Sequence, residues 1–168
     1  MSTAFPGRIN LGGAGIPVAV AMHVRLPGTR LADWRLSGIL SGGAFGGERQ
    51  RQLLREDEHG RHLLFRGLRL RLDPLRAADY VLNLNNEVPR LFVVLRFDAD
   101  TGAEPLQVTA SLDEAQALDT TELRDADEHV VSVPMPPEVG VQVAEFTRTH
   151  YRPPERKGRR RREGRGGD

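Results

Sequence analysis

Apolar and polar positions alternate with a period of two at the start of the patterned part of the chain. In IPVAVAMHV, residues 16–24, the larger apolar side chains fall on one face, and two alanines and a histidine fall on the other, as in a strand with one buried side. ADWRLSGIL, residues 32–40, repeats the alternation, and LPGTR between the two contains the proline and glycine of a turn. The pattern predicts two strands joined by a short connection.

Residues 49–74, RQRQLLREDEHGRHLLFRGLRLRLDP, predict a β-hairpin. The turn falls at EDEHGR, where Gly60 accommodates the positive φ of a tight connection. In the second arm Leu68, Leu70 and Leu72 alternate with arginines, and we interpret Gly67 as a bulge.

Three further stretches predict strands: DYVLNLNN, LFVVLRF and PLQVTA, residues 79–86, 91–97 and 105–110. LFVVLRF is apolar on both faces, which indicates a strand covered on both sides. Ser111 and Glu114 have the spacing of a capping box at the start of a helix, SLDEAQAL. A short strand at residues 130–133 and a helix from Pro137 follow. We expect Leu70, Val93 and Phe146 to be buried.

These elements predict a mainly β fold of the α+β class. We expect an antiparallel, curved or partly closed barrel of about seven strands with a C-terminal helix, an element order similar to that of pleckstrin-homology domains. Residues 1–15 lack a pattern and are interpreted as a flexible arm. Residues 16–151 form the predicted domain, and residues 152–168 a disordered basic tail.

Composition narrows the functional classes. The chain has 168 residues, 39% of them hydrophobic and 28% charged, which is typical of a globular protein. It has no cysteine, which excludes a disulfide, a thiolate metal site and a cysteine nucleophile. No stretch reaches the roughly 18 apolar residues of a membrane span. The sequence therefore predicts a cytoplasmic protein without a membrane span.

The charge is divided unevenly along the chain. Residues 152–168 contain eight basic and three acidic residues, a net charge of +5, so that the remaining residues carry −4. The densest run, Arg159, Arg160, Arg161 and Arg162, can neutralise phosphates, and one alternative is therefore a nucleic-acid or polyanion binder. The acidic body and an aromatic content of 5% oppose it. We favour a tail that docks on an acidic protein surface.

Two clusters are candidates for a site. Arg66, Arg69 and Arg71 form a possible docking patch for a carboxylate or an acidic partner, although charges on the solvent face of a sheet are the favoured interpretation. His59 and His62 lie beside Glu58 and suggest a second alternative, a small metal-dependent enzyme. A hairpin turn does not supply the rigid ligand set of a metal site. We therefore expect no metal, no cofactor and no catalytic residue.

Segments along most of the chain resemble a known family. DYVLNLNNEVPRLFVVLR, PLQVTASLDEAQAL and VPMPPE, with the first strand and the basic end, are similar to the bacterial domain-of-unknown-function family 3305 over about residues 16–160. Its members are often encoded beside accessory genes of formate dehydrogenase and other molybdenum enzymes. The central LRLRLDPLRAAD is richer in arginine than the family pattern. None of these segments is a catalytic motif, so no site residue is carried over.

The resemblance implies a non-enzymatic accessory or adaptor protein that supports assembly or regulation of a molybdenum-dependent formate dehydrogenase. The expected partner is a protein, either a subunit of that enzyme or one of its accessory proteins. Nucleic acid is not expected as a partner, and the oligomeric state is left open.

Overall fold

The computed structural model describes residues 15–120, with only the backbone of 118–120, and residues 128–155. Residues 1–14 of the predicted N-terminal arm and most of the predicted tail, including Arg159, Arg160, Arg161 and Arg162, lie outside the described residues. The strands are β1 (Ile16–Val24), β2 (Trp34–Ser41), β3 (Gln50–Asp57), β4 (Gly60–Leu70), β5 (Arg90–Asp98), β6 (Gly102–Thr109) and β7 (Glu128–Pro134). The α-helices are α1 (Ala77–Leu84), α2 (Leu112–Thr120) and α3 (Pro137–His150).

The strands form two antiparallel sheets. One has four strands in the order β2-β1-β4-β3, and the other has three in the order β6-β5-β7. The sheets do not close into a barrel. The predicted fold class, mainly β with a C-terminal helix, is confirmed. No helix in the described ranges has the length and hydropathy needed to cross a membrane.

The predicted hairpin is present, with Gly60 at a φ of 130° after the turn. Gly67 has a φ of 81° and lies at a bulge in β4, because the pairing with β1 shifts between Val18↔Leu68 and Val20↔Phe65. The bulge changes the alternation of the strand. Phe65 and Leu68 therefore both face the core, although they are three residues apart.

Apolar side chains from both sheets and from α1 and α3 form one hydrophobic core. Leu70 and Val93 are fully buried, as predicted. Phe146 of α3 is half-buried and packs against the core, with its ring edge-on to that of Tyr80 at 6.0 Å between centroids. α1 and α3 contact each other and cover one end of the sheets, while α2 lies against β5 and β7.

The strand predicted for DYVLNLNN is wrong, because this stretch forms most of α1. Its buried residues, Ala77, Tyr80 and Asn83, recur every three positions, which is a helical spacing. A short 3-10 turn, Pro74–Arg76, leads into the helix, and Asp73 Oδ1 accepts a hydrogen bond from the amide of Leu75 at 2.9 Å. The alternating Tyr80, Leu82 and Leu84 imitate a strand, but Leu82 is exposed.

The predicted capping box at α2 forms only in part. Ser111 Oγ accepts a hydrogen bond from the amide of Glu114 at 3.0 Å, as expected of a helix cap. The reciprocal bond is absent, because the amide of Ser111 donates to Thr109 Oγ1 instead. The carboxylate of Glu114 accepts from Thr109 Oγ1 and Gln107 Nε2, both on β6. Glu114 thus ties α2 to the preceding strand.

Candidate functional site

On the side of β4 and β6 the two sheets approach each other, but no described strands pair across them. β3 pairs with β4 only as far as Arg66, whereas β4 continues to Leu70. β6 pairs with β5 and, among the described residues, with no other strand. The second half of β4 and the outer edge of β6 therefore border a groove with no strand between them. We call it the inter-sheet groove.

The inter-sheet groove has two chambers. The smaller has a volume of about 290 Å³ and lies between residues 65–68 and residues 101–105. The larger has a volume of about 700 Å³ and lies between residues 67–73 and residues 106–109, with Arg76 and Glu114 at its wall. Arg49 and Leu68 line both chambers, so the two chambers are adjacent.

Arg49 bridges the groove. Its guanidinium donates to the backbone carbonyls of Pro105 and Leu106 on β6, at 3.2 and 2.7 Å. Gly67 makes this bridge possible, because a Cβ there would overlap the backbone of Glu48 and Arg49. The missing side chain lets the segment before β3 pass close to β4, from where Arg49 reaches across to the other sheet.

Arginine dominates the lining of the groove. The bulge at Gly67 keeps Arg66, Arg69 and Arg71 off the core-facing side of the strand, so that all three reach the groove. The full set is Arg49, Arg51, Arg66, Arg69, Arg71 and Arg76. The acidic lining residues are Asp73, Glu104 and Glu114. The lining therefore carries a formal charge of +3 within a body of negative net charge.

The arginines differ in whether their guanidinium groups already interact with other groups of the protein. Arg66 donates to the carbonyl of Ala44 and lies over the ring of Phe45. Arg76 forms ion pairs with Asp113 at 3.3 Å and Glu114 at 3.5 Å. Arg51 and Arg71 are exposed, and their side chains make no hydrogen bond or ion pair with any described residue. These two guanidinium groups are the most available to a bound anion.

Backbone donors set the ionisation of a carboxylate at one end of the groove. In the turn between β5 and β6, Asp98 Oδ1 accepts from the amides of Asp100 at 2.7 Å and Thr101 at 3.1 Å. These hydrogen bonds lower the pKa of Asp98 below its ordinary value, and the bond from the amide of Asp100 has the largest effect. The turn thus keeps Asp98 ionised and Thr101 in place against the smaller chamber.

The two histidines considered as metal ligands have different surroundings. His59 is in the hairpin turn, where Nε2 lies 3.6 Å from the carboxylate of Glu58 and both side chains are exposed. His62 lies in β4 opposite His23 of β1, with 4.7 Å between ring centroids. In the described ranges no three His, Asp or Glu side chains are grouped so as to hold a metal ion.

Comparison with known protein families covers nearly the whole domain. Residues 17–162 match the model of the family described as protein of unknown function, DUF3305. The chain belongs to this family. No curated protein and no solved structure matches it. The element order also departs from the pleckstrin-homology analogy, because α1 and α2 interrupt the run of seven strands.

For this DUF3305 chain, sequence reasoning found half of the arginines that line the groove. Arg66, Arg69 and Arg71 stood out because they lie along one patterned strand. Arg49, Arg51 and Arg76 were missed because they lie outside that alternation and reach the groove only through tertiary structure. The arginine richness of residues 68–76 was the signal available for Arg76.

Proposed function

We propose that this protein is a non-enzymatic adaptor that binds an acidic segment of a partner protein in the inter-sheet groove. One observation carries the proposal: six arginines line an open groove on a body of negative net charge. Arginine forms paired hydrogen bonds with carboxylates, so such a lining favours glutamate- or aspartate-rich segments. The unpaired Arg51 and Arg71 provide one anchor in each chamber.

The composition of the groove favours a protein segment over a nucleic acid. Single-strand binders stack bases on exposed aromatic rings. Phe65 is the one aromatic residue in the described lining, and it is 7% exposed. The acidic body also repels a long polyanion, whereas a short acidic segment contacts only the groove.

We further propose that the partner is a subunit of a molybdenum-dependent formate dehydrogenase or one of its accessory proteins. The basis is the genomic setting attributed to the resembling family, together with a groove suited to a protein segment. Co-purification with the separately expressed enzyme subunits tests this identity, and the Arg51→Glu/Arg71→Glu variant provides its negative control.

Binding of a defined acidic peptide tests the groove. The probe is a fluorescently labelled eight-residue peptide in which glutamate alternates with threonine or valine. We expect saturable, salt-sensitive binding to the full chain, since opposite charges are brought together. We expect Arg51→Glu/Arg71→Glu to weaken it by at least about tenfold, or about 1.4 kcal/mol.

The control variant is Arg35→Glu/Arg148→Glu, which makes the same change in net charge on exposed residues of β2 and α3 that do not line the groove. We expect its affinity to stay within about threefold of the unmodified chain, because distant surface charges are screened. Equal weakening by both double variants contradicts a localised site. Tighter binding of a single-stranded oligonucleotide, lost in Arg51→Glu/Arg71→Glu, favours the nucleic-acid alternative.

A further inference from the structure

We propose that the acidic segment binds as an added β-strand along the unpaired edge of β6, and that Arg49 releases the carbonyls of Pro105 and Leu106 to admit it. This inference rests on the proposed function and adds the conformation of the bound segment. It also assigns Arg49 the role of a latch, distinct from that of the other groove arginines.

The edge of β6 is suited to receive a strand. It borders the larger chamber over residues 106–109, and no described strand pairs with it there. Unpaired edges bind extended peptides through backbone hydrogen bonds, a mode known as β-augmentation. The chamber of about 700 Å³ is lined by residues 106–109 on one side and by residues 67–72, at the end of β4 and just after it, on the other.

Residues 105–106 of this edge are protected from pairing with another strand. Pro105 has no backbone N–H to offer, and Arg49 occupies the carbonyls of Pro105 and Leu106. Proline and a charged side chain are common protections of edge strands against unwanted pairing. Both protections lie at residues 105–106, and neither extends to residues 107–109. The pairing of β6 with β5 shifts at Leu106, and at this bulge both neighbouring carbonyls accept from Arg49. An incoming strand needs an acceptor at this point of the edge, so Arg49 and the segment compete for it.

The spacing of arginines on the facing strand matches an extended acidic segment. Arg69 and Arg71 are two residues apart and both line the larger chamber. Extended chains advance about 3.3 Å per residue, so alternate side chains lie about 6.6 Å apart on one face. Glutamates at every second position of an added strand have the same repeat. The charge pattern therefore favours a strand over a helix as the bound conformation.

Substitution of Arg49 separates a latch from a simple charge contact. Arg49→Met and Arg51→Met each remove one positive charge from the groove, and only Arg49→Met also frees the carbonyls of β6. With the glutamate-alternating peptide and the full chain, we expect Arg51→Met to weaken binding about threefold or more. We expect Arg49→Met to bind at least as tightly as the unmodified chain. If Arg49→Met fails to fold, Arg49→Lys replaces it, because lysine keeps the charge but lacks the guanidinium that donates to both carbonyls. We expect Arg49→Lys also to bind at least as tightly as the unmodified chain.

Amide hydrogen exchange of the complex gives the second readout. We expect the β6 amides at residues 107–109 that point away from β5 to exchange at least about tenfold more slowly with the peptide bound. Equal weakening by Arg49→Met and Arg51→Met, or unchanged exchange along β6, overturns strand addition while leaving the adaptor proposal standing. Failure of the unmodified chain to bind the peptide overturns both.

Discussion

Residues 65–72, the end of β4 and the two residues after it, contribute to two regions with opposite properties. At the end covered by α1 and α3, Leu70 and its neighbours are fully buried among apolar side chains. On the groove side, Arg66, Arg69 and Arg71 line an open cavity. One set of residues in this segment therefore stabilises the fold, and the other set is available for binding. Substitutions in the two sets should therefore affect different measurements.

The largest effect is expected in the core. Leu70→Ala removes a fully buried side chain and leaves a cavity, so we expect the free energy of unfolding to fall by about 2–5 kcal/mol. Leu75→Ala is the matched control, because Leu75 is 93% exposed, and it should change stability by less than about 0.5 kcal/mol. Urea unfolding measures both. Similar losses for the two variants would contradict the assigned core.

A smaller loss is expected at Asn83, which joins α1 to the ends of two strands. Its Nδ2 donates to the carbonyls of Arg90 at 2.7 Å and Ala110 at 2.9 Å, and its Oδ1 accepts from the amide of Arg90 at 2.9 Å. Asn83→Ala leaves these backbone groups without their partner, so we expect a loss of about 2–3 kcal/mol. The exposed Asn85→Ala is the control, and a loss no greater than that of the control would show that this junction is not maintained by the side chain.

Gly67 connects the two regions, and its substitution should disturb both. A Cβ at Gly67 overlaps the backbone that carries Arg49, so we expect Gly67→Ala to lower the free energy of unfolding by about 2 kcal/mol or more. Gly47→Ala is the control, because Gly47 also has a positive φ, of 100°, but faces open space; it should lose about 1 kcal/mol. Equal losses in thermal melts would indicate that only backbone strain matters at Gly67.

Features of the fold that depend on neighbouring residues could be predicted from the sequence, whereas features that depend on residues far apart in the chain could not. Local patterns of apolar and polar residues predicted a strand at each of the seven observed positions, and the bulge at Gly67, since each of these features reflects neighbouring residues. An alternating pattern also gave a wrong prediction at α1, because the spacing of Tyr80, Leu82 and Leu84 is that of a strand. The helix-start signal of Asp73 followed by Pro74 was the better guide.

The groove was the least predictable feature. It arises where β3 ends its pairing with β4 and where β6 remains an edge, and neither follows from any one segment. Arg49 is 56 residues from Pro105, one of its two carbonyl partners. Only the arrangement of the sheets brings Arg49, Arg51 and Arg76 to the same groove as Arg69 and Arg71.

The smallest effect is expected at the turn beside the groove. The pKa of Asp98 is lowered in the folded chain, so its ionised form stabilises the fold at pH values above its ordinary pKa of 3.8. That contribution is lost as the pH falls below 3.8 and through the lowered folded pKa. Asp98→Asn should therefore be less stable than the unmodified chain at neutral pH, with the difference shrinking in acid. Thermal melts between pH 2 and 7 measure it, and a difference independent of pH would contradict this account.

The most direct test of the central claim is a map of where an acidic segment binds. The glutamate-alternating peptide is titrated into the uniformly ¹⁵N-labelled full chain, and amide chemical shifts are followed by NMR. We predict the largest changes at residues 67–72, at the end of β4 and just after it, and at residues 106–109 of β6. We predict little change at Tyr80 and Phe146 in the helix-covered core. Changes confined to Arg159, Arg160, Arg161 and Arg162 would assign acidic binding to the tail and contradict a docking site between the sheets.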